Sequence, residues 1–237
     1  MTRNATQAET PHDETKQGRL RARPHRPTVD AVGHGVHPLG LGGKRDGLLY
    51  VPKGYRADQP APLVVMLHGA GGNARNSLGL WRKVADEAGL LLLVPESRGP
   101  SWDIIVDDAY GSDVAFIDRA LAYVFDRYAV NPERIALSGF SDGASYALSL
   151  GLTNGDLFSH VVAFSPGFMA PATQRGEPAL FISHGVKDEV LRIGPCSRRI
   201  VPLVQRAGYE VRYREFDGPH TVPADITREA LIWFTAQ

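Results

Sequence analysis

The chain has 237 residues, 43% hydrophobic and 22% charged, the balance of a globular domain rather than a disordered one. Its 26 Lys and Arg equal its 26 Asp and Glu, so no net field draws it to nucleic acid or to an anionic membrane. A single cysteine, Cys196, excludes an intrachain disulfide and a multi-cysteine zinc site, and the longest apolar runs, such as residues 89–95, are far too short to span a bilayer.

Residues 1–28 hold few apolar side chains, and residues 16–26 carry five bases and no acid. They read as a disordered basic tail ahead of a domain at 29–237, a solvated terminus more than an arm for an anionic partner. No apolar run follows the start, so no export signal is expected, and the lone thiol suits a reducing cytoplasm. Strands are expected at 46–51 and 63–67. The second, LVVML, is apolar on both faces, as a buried inner strand is. Further strands are expected at 90–94, 135–138, 161–164, 180–183 and 210–216. Helices are expected at 78–88, 113–128, 143–150, 196–207 and 224–235. The clearest is 113–128, where Val114, Ile117, Leu121, Val124 and Tyr128 form one stripe and Asp118, Arg119, Asp126 and Arg127 face away. Ser112 is the expected N-cap. Alternating strands and helices predict an α/β fold, a mostly parallel central sheet with helices on both faces. Ligands of such sheets gather at the carboxyl ends of the strands.

Reactive residues follow several of those strand ends. After IALS comes Gly139-Phe140-Ser141-Asp142-Gly143, then a helical run. A serine on a tight strand-to-helix turn has its hydroxyl held clear of neighbours, and the next helix aims its N-terminus at developing negative charge. The candidate base is His220, in DGPHT, between the last strand and the last helix. Of the other seven histidines, His12 and His25 lie in the tail and His34 and His37 precede the body. His160 opens a strand, and His68 and His184 end strands before a glycine, where a histidine anchors a loop. The candidate orienting acid is Asp188, favoured over its neighbour Glu189 and over Asp217, which is too close in sequence to His220. The order Ser141, Asp188, His220 is nucleophile, acid, base.

An acyl-transfer transition state also needs two amides for its oxyanion. Asp142 supplies one, and the loop His68-Gly69-Ala70-Gly71-Gly72-Asn73 supplies the other, with Ala70 as the expected donor. That loop is no P-loop, because no Lys-Ser/Thr pair follows its glycines. Trp102, Phe168 and Met169 are candidate substrate contacts. Cys196 lacks a glycine elbow and reads as an incidental thiol, and Ser197-Arg198-Arg199 reads as a solvated helix face more than as a binder of an anionic substrate group. No metal and no organic cofactor is called for.

The segments LVVMLHGAGGN, NPERIALSGFSDGASYAL, VVAFSPG, LFISHGVKDEV and DGPHTVP span residues 63 to 223. They resemble the small serine esterases of the α/β-hydrolase fold, notably the bacterial phospholipase/carboxylesterase, dienelactone-hydrolase-like and polyhydroxybutyrate-depolymerase-like groups. The resemblance implies cleavage of a small-molecule carboxylic ester through an acyl-enzyme on Ser141, with Asp188 as acid, His220 as base, and Ala70 and Asp142 as oxyanion donors. It leaves open a thioesterase, lactonase or peptidase with the same triad, and an inactive binding protein on the same scaffold. Dienelactone hydrolases differ in using a cysteine at the elbow. The short stretch between VVAF and LFIS leaves no room for a large lid. Monomer and homodimer both stay open.

Overall fold

The computed structural model describes residues 11–236. In chain order the elements are α1 (Pro11–Lys16), β1 (Gly35–Pro38), β2 (Gly47–Val51), β3 (Ala61–Leu67), α2 (Ala74–Ala85), β4 (Leu91–Pro95), α3 (Asp103–Val106) and α4 (Ser112–Arg127). Then follow β5 (Val130–Phe140), α5 (Asp142–Thr153), β6 (His160–Phe164), β7 (Ala179–Gly185), α6 (Ser197–Arg206), β8 (Val211–Phe216) and α7 (Ala224–Thr235). The expected α/β architecture is the one found. One eight-stranded open sheet runs β1-β2-β4-β3-β5-β6-β7-β8. Only β1 and β2 run antiparallel to their neighbours; β4 through β8 pair in parallel.

The inner strands are apolar on both faces because two layers of helix cover them. Within β3, Leu63, Val65 and Leu67 enter one core and Val64 and Met66 the other. The first core holds the stripe of α4 (Val114, Ile117, Leu121, Val124) with Tyr146 and Leu150 of α5 and Ile200 and Val204 of α6. The second holds Leu78, Trp81 and Val84 of α2 and Ile226, Ala230 and Phe234 of α7. At the β8 edge the pattern alternates, and outward Arg212 and Arg214 pair with Glu229 of α7.

The N-cap of α4 differs from expectation. Ser112 lies inside the helix and Gly111 caps it without a side-chain bond. The capping acceptor comes from elsewhere: the Asp103 carboxylate receives the Gly111 amide at 2.8 Å and the Asp113 amide at 3.1 Å. Strand β1 was not expected either, since GVHP has no apolar run; pairing with β2 holds it.

Part of the stretch expected to be a solvated tail lies against the body. Leu20 is buried in the first core. Arg19 reaches the Thr153 carbonyl at 2.5 Å and the Asp156 carboxylate at 2.7 and 2.9 Å, and Arg23 joins the same carboxylate at 2.7 Å. These arginines hold the Asp156 carboxyl down at about 2. Asn154 at the end of α5 receives the Leu20 amide and donates to the Gly18 carbonyl. A scarcity of apolar residues signalled solvation, but one buried leucine together with guanidinium and backbone groups makes the attachment. Residues 1–10 of the same stretch fall outside the described residues.

Candidate active site

Strand β5 ends in Gly139-Phe140, and the chain turns at Ser141 into α5. Ser141 has φ +57° and ψ −121°, a left-handed conformation that side chains rarely adopt. The turn closes only because its flanks are glycine. A Cβ on Gly139 would stand 2.0 Å from the Gly143 carbonyl oxygen, and one on Gly143 would stand 2.3 Å from that of Leu67. The Ser141 amide donates to the Phe164 carbonyl at the end of β6, fixing the turn to the neighbouring strand.

Three expected residues meet here. The Ser141 hydroxyl lies 2.9 Å from His220 Nε2, and His220 Nδ1 lies 2.5 Å from Asp188 Oδ2. Phe140 packs on the His220 ring, 4.7 Å between centroids. Asp188 is buried, and its other oxygen accepts the Val190 and Leu191 amides at 2.9 and 2.7 Å. Burial alone would raise its pKa. The His220 bond, the Leu191 amide and the two nearby imidazoles outweigh that and hold it below the ordinary carboxylate value. The rivals lie apart: Asp217 pairs with Lys187 on the surface, and Glu189 is exposed.

The loop after β3 flanks the serine. A Cβ on Gly69 would come within 3.3 Å of the Ser141 Cβ. Among the described residues, the Ala70 and Asp142 amides find no acceptor within the protein, whereas Gly71 and Gly72 are bonded to Pro100 and Gly69 carbonyls. Two unsatisfied N–H groups beside one hydroxyl form a site that can receive an anionic oxygen. The Asp142 side chain is turned away, accepting the Ser101 hydroxyl at 2.5 Å.

Two histidines read as loop anchors have more specific work. His68 Nε2 accepts the Ser97 amide at 3.0 Å, so its proton sits on Nδ1 and is donated to the Gly69 carbonyl at 2.7 Å. That carbonyl belongs to the peptide whose other end is the Ala70 N–H, so His68 sets the direction of that amide. Burial lowers its pKa and keeps it neutral. His184 lies fully buried beneath Asp188. Its Nε2 donates to the Leu191 carbonyl at 2.7 Å and faces Asp188 Oδ2 at 3.2 Å, while Nδ1 accepts from the Ser197 hydroxyl at 2.7 Å. Burial lowers this pKa too. The sequence signal for both was their position at a strand end, but nothing local named their partners. His160, read as structural, is buried edge-on to Trp233 and Phe234.

Trp102, expected at the substrate, is corrected: it is wholly buried and offers a ligand no surface. Its indole donates to the His68 carbonyl at 2.8 Å and it stacks on Tyr146, supporting the glycine loop from behind. Behind it Asp103 and Asp113 brace each other's backbones, the Asp103 amide donating to Asp113 at 2.8 Å. Burial, with the Asp103 charge adding, pushes the Asp113 carboxyl up to about 6 against the bond from the Arg98 amide. Phe168 and Met169 line an open cavity with α6.

The chain is similar to known esterases. Residues 114–193 match the family model described as "Putative esterase". The chain is 28% identical over 166 residues to the "Probable feruloyl esterase C" of Aspergillus flavus, covering 67% of this chain and 59% of that protein. It spans about three-fifths of the length of the feruloyl esterase C relatives it matches. A ferulic acid esterase from Anaeromyces mucronatus superposes with a TM-score of 0.64 at 18% identity, covering 90% and 94% of the two chains. The S-formylglutathione hydrolase of Staphylococcus aureus gives 0.68 at 15% identity, covering 87% and 99%. The fold is that of the α/β-hydrolases, and the likeness to the serine esterases among them, drawn from the sequence, holds.

Proposed function

We propose that the protein hydrolyses small-molecule carboxylic esters through an acyl-enzyme on Ser141. The observation that carries this reading is the hydrogen-bonded row from Ser141 through His220 to Asp188. Ser141 donates its proton to His220 Nε2 as Oγ attacks the ester carbonyl. Asp188 holds the Nδ1–H tautomer and stabilises the imidazolium that forms. The Ala70 and Asp142 amides receive the oxyanion, a contribution of about 3–4 kcal/mol for each donor. His220 returns the proton to the departing alcohol. It then activates a water that releases the acid. The esterase relatives support the ester as substrate class. Among the described residues no helix is long and apolar enough to cross a membrane. The lone buried thiol, Cys196, supports a cytoplasmic location.

The test is Ser141→Ala against a short-chain p-nitrophenyl ester, with labelling by a fluorophosphonate. The native protein is expected to be labelled at Ser141. The variant is expected to lose at least about a thousandfold in kcat/KM. Undiminished turnover in the variant, or a native protein that neither turns over nor labels, overturns the reading.

A further inference from the structure

Four partly exposed apolar side chains, Phe168, Val186, Val190 and Leu203, lie on the loops after β6 and β7 and on α6. Two of them, Phe168 and Leu203, meet across one cavity of about 290 Å³, whose wall also includes Met169, Pro195, Ile200 and Arg199. One wall residue, Gly167, ties the cavity to the helix that begins at the reactive serine. Ser145, one helical turn after Ser141, bonds the Ser141 carbonyl at 3.4 Å, and its hydroxyl oxygen accepts the Gly167 and Phe168 amides at 2.9 and 3.4 Å. A Cβ on Gly167 would stand 3.3 Å from Leu191, whose amide binds Asp188. The cavity wall is thus wedged between the nucleophile's helix and the loop of the acid.

The lining is apolar apart from one charge. Arg199 is the charged side chain on the wall, and among the described residues its guanidinium has no ion pair and no hydrogen-bond partner. Its neighbour Arg198 faces elsewhere and is held by Glu215 through two bonds of 2.8 Å. A guanidinium is weakly hydrated and presents a planar fork that matches a carboxylate. An occupant complementary to this wall is apolar along its length and anionic at its end.

We propose that the cavity is a specificity subsite for esters that carry a carboxylate on an apolar chain, with the chain against Phe168, Met169, Ile200 and Leu203 and the carboxylate on Arg199. This inference rests on ester hydrolysis at Ser141 and adds the substrate class. The carboxylate can sit on the acid half or on the alcohol half of the ester, and the assay separates the two.

The experiment compares kcat/KM for p-nitrophenyl hemiesters of glutaric, adipic and suberic acid with their neutral methyl-capped counterparts. A second series places the carboxylate on the alcohol half of butyrate esters. In one series the native enzyme is expected to prefer the anionic ester by about fivefold, as suits a partly exposed ion pair. The preference is expected to vanish in Arg199→Gln, persist at least half in Arg199→Lys, and stay unchanged in the control Arg198→Gln. An equal preference in native protein and Arg199→Gln, or none in the native protein, overturns the subsite. Should the native protein hydrolyse no ester, calorimetric titration with suberate reads the cavity alone. Arg199-dependent binding then leaves the subsite standing while the esterase reading falls, and its absence overturns both.

Discussion

Replacing His184 with leucine removes a ring that serves three groups at once. The Leu191 carbonyl and the Ser197 hydroxyl each lose a partner at 2.7 Å, and Asp188 Oδ2 loses the imidazole that stands 3.2 Å from it. A buried polar group left without its partner costs about 1–3 kcal/mol. Two such groups put the loss at about 2–6 kcal/mol, a large share of the 5–15 typical of a whole domain. His184→Gln can still reach the Leu191 carbonyl with its amide and is expected to lose about half as much. The kinetic consequence follows from position. His184 ties down the Leu191 carbonyl, and the Leu191 amide binds Asp188 Oδ1, so loss of the ring loosens the loop that seats the acid. The expected fall in kcat/KM is up to about a hundredfold in His184→Leu and less in His184→Gln. Urea denaturation followed by tryptophan fluorescence reads the first effect, and kcat/KM for p-nitrophenyl butyrate the second. A leucine variant with native stability and native kcat/KM would refute the reasoning.

Two further outcomes follow from the same structure. In Gly143→Ala the new methyl group would meet the Leu67 and His68 carbonyl oxygens at 2.3 and 2.5 Å, both backbone, so the glycine loop must move. The expected result is a fall in kcat/KM of at least about a hundredfold, the scale of one lost oxyanion donor; kinetics near the native value would contradict the elbow geometry. Asp113 titrates at about 6 in the folded protein against an ordinary 3.8. Between those values the folded chain keeps a proton the unfolded chain has lost. Its contribution to stability therefore declines as pH rises from about 4 to 6 and is constant above, by about 3 kcal/mol in all. Denaturation midpoints measured from pH 4.5 to 7.5 should show that slope, and Asp113→Asn should flatten it.

What could be read from the sequence was what local chemistry forces. The elbow was legible because a serine at positive φ between a strand and a helix demands small flanks, and Gly139 and Gly143 supply them. The stripe of α4 was legible because one face must meet the sheet. The order of Ser141, Asp188 and His220 was legible because parallel strands deliver their ends to a common edge. Trp102 was misread because its position after β4 matches that of a ligand contact, while its burial depends on Tyr146 and His68, distant in sequence. The helix cap from Asp103 and the support of Asp188 by His184 escaped notice for the same reason: both are made by side chains reaching across loops, which leave no periodic trace.

The segment around Leu20 finishes a helix it does not belong to. Helix α5 opens at the reactive serine and closes where Arg19, the Leu20 amide and the Gly18 carbonyl engage Thr153 and Asn154. A chain begun at Val29, where composition draws the domain border, would strip the last turn of α5 of these partners and open the pocket that Leu20 fills. Loosening would then start at the far end of the rod whose near end carries the nucleophile, so trimming residues that look expendable would unseat the chemistry from behind.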